Sequence, residues 1–344
     1  MCYATPASRR ESVQEALAAL LEANQIVLTT HVNADGDGAG SEVALGAWLL
    51  ARGKKVWIVN PTPFPGPLRF LLPQGVTLLD PGSPRANEAS GKAELAVILD
   101  TGEAPRIGSV SGLIGETPSL VIDHHPPGTQ PLPGISLRDP AACATGELVY
   151  DILLAAGGPW PPTAVHGLYV ALLTDTGSFR FSNTSPSAHY IVGDLIEKGA
   201  DPEELFRRAY KDVPLRKMRL LHAALGELEV DPRGDLAWMT IPSEAFQELG
   251  ATADDIDGLV DYPRDIEGVE VGLLFRETVQ GATKVSFRSN GLVDVNALAR
   301  QFGGGGHVKA SGALVQGPLS EVRPRVLEAV RSAVRTRERD AGGG

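Results

Sequence analysis

The sequence predicts an α/β protein of two domains. Short unbroken apolar runs alternate with helical and turn segments through the first half, and a second β-rich stretch opens near residue 230. A length of 344 residues is also enough for two ordinary cores. The first run, Ile26-Val27-Leu28-Thr29-Thr30, stops at His31 and is followed by a Gly/Asp-rich turn and the helical stretch Glu42 to Leu50. Val56 to Val59, Leu95 to Leu99 and Leu120 to Ile122 repeat the pattern. Strands this uniformly apolar fit a largely parallel sheet flanked by helices on both faces. Ahead of them, Ser12 followed by Glu15 makes a capping box and predicts a helix over 12–23.

From Gly146 to about Leu225 the apolar residues fall at helical spacing, as in Val165, Leu168, Val170, Leu172 and Leu173. The domain boundary is expected between Lys198 and Val230, giving a first domain over 1–198, a helical linker over 199–228 and a smaller α/β domain over 229–338. Its expected strands are Leu236 to Ile241, Val269 to Phe275, Thr283 to Phe287 and Ala313 to Val315, with helices at Val293 to Gln301 and Ser320 to Val334. Residues 339–344 read as a disordered tail.

Hydrophobic residues at 43% and charged residues at 21% are the balance of a soluble globular protein. The cysteines, Cys2 and Cys143, form no CxxC pair, so neither a disulfide framework nor a thiolate zinc site is indicated. Cys143 reads as a small buried hydrophobe. No stretch reaches the roughly 18 apolar residues of a membrane span, and Arg9, Arg10 and Glu11 stand where a signal peptide needs its apolar core. The expectation is a cytoplasmic protein with no membrane partner. A net charge of -11 argues against holding long duplexes, which requires a basic surface.

Ligands of open α/β sheets bind beyond the carboxyl ends of the strands. Here those ends carry His31, Asp35 and Asp37, then Asp100, then Asp123, His124 and His125; Asp175 follows the apolar helix that ends near Leu173. Each piece alone has a bland explanation as an Asx turn, a helix cap or a surface histidine. Together they would form a strongly repulsive cluster unless cations neutralised it. In the second half, the run Gly303-Gly304-Gly305-Gly306 before His307 either is a flexible loop or brings backbone amides close to an anion, and Lys309 and Ser311 beyond it favour the anion. Arg276 and Lys284 read as solvated strand charges, and Thr145-Gly146 as a helix start that could cap or meet a phosphate.

The run His31-Val32-Asn33-Ala34-Asp35-Gly36-Asp37-Gly38, the lone Asp100, Val121-Ile122-Asp123-His124-His125 and Leu172-Leu173-Thr174-Asp175-Thr176-Gly177 resemble, in order, the motifs of DHH phosphoesterases. Gly303 to Gly312 resembles the glycine-rich signature of the DHHA1 domain, and the size is similar to the group of bifunctional oligoribonucleases and PAP phosphatases. The resemblance implies two divalent cations, one held by His31, Asp35 and Asp100 and the other by Asp37, Asp100, His124 and Asp175. It implies a site in the cleft between the domains and a homodimer. The donor set suits Mn2+, with Mg2+ or Co2+ as substitutes. Asp123 is then expected to support a ligating histidine, and His125 to act on the scissile phosphate. Arg288, Gly304, Gly305, Gly306 and His307 are expected to bind substrate. Expected substrates are short RNA or DNA oligonucleotides, linear dinucleotides and 3′-phosphoadenosine 5′-phosphate. The alternatives are a cyclic-dinucleotide phosphodiesterase on the same centre, a manganese pyrophosphatase, and a non-catalytic nucleotide-binding protein.

Overall fold

The computed structural model describes residues 3–211, 213–256, 258–278 and 281–342. The chain divides into two compact units, Met1–Asp212 and Val213–Gly344. The first unit is built on strands β1 (Gln25–Thr29), β2 (Lys55–Val59), β3 (Thr77–Leu79), β4 (Leu95–Leu99), β5 (Ser119–Asp123) and β6 (Ile135–Arg138). They lie in the order β3-β2-β1-β4-β5-β6, and every neighbouring pair is parallel. The edge strands β3 and β6 go beyond the sequence expectation. Both are short, and the exposed Ser136 and half-buried Arg138 break β6 as an apolar run.

Helices α1 (Arg10–Glu22), α2 (Gly36–Ala51), α3 (Pro84–Lys92), α4 (Val110–Ile114), α5 (Thr145–Ala155), α6 (Pro162–Asp175), α7 (Pro186–Glu197) and α8 (Pro202–Phe206) complete the unit. Side chains alternate across a strand, so Ile26 and Leu28 enter a core with α1, α2, α5, α6 and α7, while Val27 enters another with α3 and α4. With both faces covered, no strand position of β1 or β4 can be polar without a partner, which is why these runs are unbroken. Helix α1 starts at Arg10, ahead of the expected Ser12 cap, and has no side-chain cap.

The chain lays down β1, β2 and β3 in one direction, then returns to place β4, β5 and β6 on the other side of β1. The strand order thus reverses between β1 and β4, and it is beyond the carboxyl ends at such a reversal that open α/β sheets place their ligands. His31 and Asp100 follow those two strands. Helix α2 is buried from Gly36 through Leu49, because α6 packs against it at backbone distance. A Cβ on Gly40 would stand 2.5 Å from the Gly167 carbonyl oxygen, and one on Gly167 would stand 2.6 Å from that of Gly40. This close crossing brings Asp37, near the start of α2, toward Asp175 at the end of α6.

The second unit comprises α9 (Leu215–Gly226), β7 (Glu229–Val230), β8 (Leu236–Ile241), α10 (Ser243–Glu248), α11 (Ala253–Ile256), α12 (Asp261–Arg264), β9 (Val271–Glu277), β10 (Ala282–Ser289), α13 (Val295–Gln301), β11 (Gly305–Gly306), β12 (Ala310–Gln316) and α14 (Leu319–Gly342). Its sheet runs β11-β12-β10-β9-β8-β7, with β8 and β9 parallel and the other pairs antiparallel. The stretch 199–228, expected as a separate linker, is instead shared between the two cores. Leu205 packs into the first unit, whereas Leu220, Leu221 and Ala224 pack with Met239, Ile241 and Leu274 of the second. Helix α14 runs past Val334, so residues 339–342, expected in a disordered tail, continue it; a stretch rich in good helix formers carries it to Gly342. Residues 343 and 344, like Cys2, lie outside the described residues. Among the described residues no helix is long and apolar enough to cross a membrane.

Replacing Gly167 by alanine forces the α2–α6 crossing apart. The expected cost is about 1–3 kcal/mol, the range for overpacking a tight contact, read as a lower urea midpoint at unchanged m-value. A midpoint equal to wild type would contradict the close crossing.

Candidate metal centre

His31 lies just beyond β1, and its neighbours fix it from both sides. The Thr30 amide donates to Asn60 Oδ1 at 3.1 Å, and the Thr30 hydroxyl donates to the Leu99 carbonyl at 2.9 Å. The ring itself is buried, and its Nδ1 lies 3.0 Å from the Val32 carbonyl, which requires a proton on Nδ1. Its Nε2 points among carboxylates, 3.3 Å from Asp100 Oδ2 and 3.8 Å from Asp35 Oδ2, without meeting hydrogen-bond geometry to either. Such an orphaned buried nitrogen is what a metal ligand looks like. The two oxygens of Asp35 divide their work. Oδ1 caps α2 by accepting from the amides of Asp37 and Gly38, which leaves Oδ2 for His31.

Asp37 is sealed between α2 and α5. Its Oδ1 accepts from the Ser41 hydroxyl at 3.0 Å and the Gly146 amide at 2.9 Å, and its Oδ2 accepts from the Thr145 amide at 2.6 Å. These amides open α5, so the helix dipole also favours the carboxylate. The expected anion site at Thr145-Gly146 is therefore filled by Asp37 itself. Asp100 has φ +61°, the left-handed region, and its Oδ1 accepts from the Thr145 hydroxyl at 2.9 Å. His124 Nε2 is 3.7 Å from Asp37 Oδ2, 3.7 Å from Asp100 Oδ1 and 3.6 Å from Asp175 Oδ2. Asp175 in turn is held by Asn183, whose Nδ2 donates to Asp175 Oδ2 at 3.2 Å and to the Cys143 carbonyl at 2.9 Å.

The donor atoms thus fall into groups within 4.8 Å of one another: His31, Asp35 and Asp100; Asp37, His124 and Asp175; and Asp100, His124 and His125. Asp100 belongs to two of them. One expected role changes. Asp123 braces His125, with Oδ1 2.8 Å from Nδ1, whereas the His124 ring is oriented by the Ala142 carbonyl at 3.2 Å. The β6 strand and the turn after it bring that carbonyl within reach. Asn60 and Asn183 carry no sequence signal for these roles, and Thr145 reads in sequence only as a helix start.

The electrostatics express a deficit of positive charge. Burial, together with Asp100, Asp175 and Asp35, holds the Asp37 carboxyl well above the usual range against the pull of the Thr145 amide. Burial pushes Asp175 up to about 7, partly offset by His124 and reinforced by Asp100 and Asp35. Burial also opposes charge on Asp100, but the nearby imidazoles of His31, His125 and His124 win and hold it below the usual carboxylate range. For His31 burial disfavours the cation, yet Asp100 and Asp35 raise it to about 10. The cluster attracts protons, and a divalent cation answers the same field with more charge. Hard carboxylate oxygens with imidazole nitrogen suit such an ion.

In the second unit, Arg288 ends the apolar part of β10, with Nε 3.5 Å from Asp261 Oδ1. The turn after it is tied by Glu270 Oε1, which accepts from the Ser289 hydroxyl and the amides of Gly291, Leu292 and Val293. The glycine run departs from the expected amide cradle. The Gly303 and Gly304 amides donate to the carbonyls of Arg300 and Ala299, that of Gly306 to Asn296 Oδ1, and that of His307 to the Ala310 carbonyl. Gly305 and Gly306 pair with Gly312 and Ser311 as a short hairpin. A Cβ on Gly304 would strike the Gly312 carbonyl, so the glycines serve close strand packing. Gly305, Gly306 and His307 remain exposed.

Residues 25–172 match the N-terminal domain of the DHH family, and residues 239–336 match the DHHA1 domain. The chain is 36% identical to the bifunctional oligoribonuclease and PAP phosphatase NrnA of Thermus thermophilus, over 89% of each protein. It is 30% identical to the protein of that name from Bacillus subtilis, over 84% of this chain and 89% of the other. An exopolyphosphatase-related protein of Bacteroides fragilis superposes with a TM-score of 0.86 at 25% identity, covering 95% of this chain and 96% of that one. The fold also matches manganese-bound RecJ of Thermus thermophilus, with a TM-score of 0.55 at 16% identity over 94% of this chain and 55% of that one. By class the protein is a hydrolase of phosphoester bonds. It belongs to the DHH family and carries the DHHA1 domain.

Glu42, on α2, is fully buried behind His31, with Oε2 accepting from Asn60 Nδ2 at 2.9 Å and Oε1 without a partner. Burial, only partly countered by Asn60 and His31, pushes it from 4.5 up to about 8. The folded state therefore binds a proton that the unfolded state releases, so stability falls as pH rises between 4.5 and about 8. In Glu42→Gln this loss should disappear. Urea unfolding from about pH 5 to about pH 9 is expected to show the variant gaining on wild type throughout the rise; parallel curves would refute the buried acid.

Proposed function

We propose that this chain is a metal-dependent phosphoesterase that hydrolyses short oligoribonucleotides and linear dinucleotides to mononucleotides, and 3′-phosphoadenosine 5′-phosphate to AMP and phosphate. The observation that carries the reading is His124 Nε2 standing 3.6–3.7 Å from three carboxylates, too far for hydrogen bonds. The names of the Thermus and Bacillus relatives support the substrate class. In this reading His31, Asp35 and Asp100 hold one ion, and Asp37, Asp100, His124 and Asp175 hold the other, with Mn2+ the favoured metal. When bound, such a pair supplies an activated water and offsets the charge on the phosphoryl group.

The protein's own groups do the rest. Asp100 presents Oδ2 toward His31 and Oδ1 toward His124, the disposition of a carboxylate shared between ions. His125 is braced by Asp123 and offers an N–H to the scissile phosphate or the departing oxygen. Arg288, with a planar fork suited to a terminal phosphate, and the exposed His307 hairpin with Gly304, Gly305 and Gly306 are the proposed recognition elements. Displacement by water puts the hydroxyl on phosphorus and the proton on the leaving oxygen, without a covalent enzyme intermediate.

Purified protein with Mn2+ should release mononucleotides from pApA and phosphate from 3′-phosphoadenosine 5′-phosphate, and lose both activities in excess chelator. Asp100→Ala should reduce both to the detection limit. Preference for a cyclic dinucleotide over pApA would instead assign the centre to cyclic substrates, and turnover unaffected by chelator would sink the metal mechanism. Asn183→Ala, which frees Asp175, should weaken Mn2+ affinity about 10–100-fold, the usual effect of losing a partner of a ligand, as read by titration calorimetry.

A further inference from the structure

Arg9 lies before the first strand, outside every motif, yet is only 3% exposed. Its guanidinium and its neighbours form one buried network. Nε donates to Asp151 Oδ2 at 2.7 Å, Nη1 to Asp139 Oδ2 at 3.0 Å, and Nη2 to Glu147 Oε1 at 2.5 Å and to the Tyr3 hydroxyl at 2.8 Å. Tyr3 and Thr5 add hydroxyl donors to Asp151 Oδ1 at 2.9 and 2.7 Å. Asp139 and Glu147 bracket a short segment, and both fold back onto it. Asp139 Oδ1 accepts from the Ala141 amide at 2.9 Å, and Glu147 Oε2 from the Cys143 amide at 2.9 Å.

Between these anchors four residues, Ala142, Cys143, Thr145 and Gly146, reach the candidate metal centre. The Ala142 carbonyl orients His124, the Cys143 carbonyl holds Asn183 and through it Asp175, the Thr145 hydroxyl meets Asp100, and the amides of Thr145 and Gly146 hold Asp37. We propose that Arg9 is a positioning residue for the second ion, clamping both ends of the Asp139–Glu147 segment so that its carbonyls, hydroxyl and amides hold Asp37, Asp100, His124 and Asp175 in register. This rests on the metal assignment proposed above. Three carboxylates converge on one guanidinium, and a planar fork satisfies them where a point charge cannot. The exposed positions that ordinary surface arginines occupy make no such demand.

A purely stabilising role for Arg9 would lower the melting temperature and leave metal binding alone. The test compares Arg9→Met, Arg9→Lys and Glu147→Gln with Leu79→Ala, a core truncation on the far face of the sheet. Mn2+ binding is followed by the electron paramagnetic resonance of the free ion, well below the melting temperature of each protein, with circular dichroism to verify folding. Arg9→Met is expected to weaken Mn2+ binding about 10–100-fold, Arg9→Lys to recover part of the loss, and Glu147→Gln to show a smaller loss. Leu79→Ala should lose melting temperature but keep wild-type affinity. Should Arg9→Met not fold, Glu147→Gln decides. Wild-type affinity in folded Arg9→Met, or in Glu147→Gln, overturns the clamp while leaving the metal assignment intact; wild-type protein that takes up no Mn2+ overturns both.

Discussion

Asp37, Asp100 and Asp175 converge on a single imidazole nitrogen, and the first two are almost sealed from water. Like charges at this spacing in a medium of low dielectric repel strongly, so the surrounding structure must restrain them by other means. It does so with neutral donors: the amides of Thr145 and Gly146, the hydroxyls of Ser41 and Thr145, and the amide side chain of Asn183. Neutral donors fix where a carboxylate sits without cancelling its charge. The field therefore stays available for a cation, which an arginine or lysine in the same places would have satisfied.

The sheet explains why residues so distant in sequence can meet. Reversal of the strand order between β1 and β4 leaves the ends of those strands side by side, and β5 follows next to β4, so His31, Asp100 and His124 emerge along one edge. Helices α2 and α6 supply Asp37 and Asp175 from the layer above, at a separation set by Gly40 and Gly167. The candidate donor positions stand on or beside rigid elements, and the long irregular contribution, Asp139 to Ala144, is tied down at both ends.

Strands β1, β2, β4 and β5 were legible because burial on both faces forces an unbroken apolar run, and the residues at their ends were legible because an acid or histidine there has a limited set of uses. Edge strands β3 and β6 lack the first signal: their partial exposure permits polar residues. Arg9 reads in sequence as one more charge near a helix start, since nothing local reveals that its partners come from residues 139, 147 and 151. Asn183 and Asn60 are hidden for the same reason, being ordinary polar residues whose meaning is wholly tertiary. The glycine run differs from its sequence reading in local geometry. Four glycines suggest an open cradle, yet here the missing Cβ atoms on Gly304 and Gly306 admit a neighbouring strand, and the amides of Gly303, Gly304 and Gly306 are taken up by Arg300, Ala299 and Asn296 of α13.

Asp100 shows how far the centre constrains the chain. A non-glycine residue at φ +61° carries backbone strain, of order 1–3 kcal/mol for such positions, and aspartate is among the few residues that tolerate it. In the ordinary extended conformation the chain would continue straight on from β4. The backbone amide still donates to the Ile122 carbonyl at 2.9 Å, continuing the β4–β5 ladder, and the left-handed turn comes after it, with the side chain between His31 and His124. Each oxygen then faces a different imidazole, with Thr145 fixing the one nearer His124. Asparagine would accept the backbone but supply one acceptor oxygen and no charge, and glutamate would supply the charge on a longer, less determined arm. The strained position thus serves two donor groups at once, that of His31 and Asp35 and that of His124 and His125.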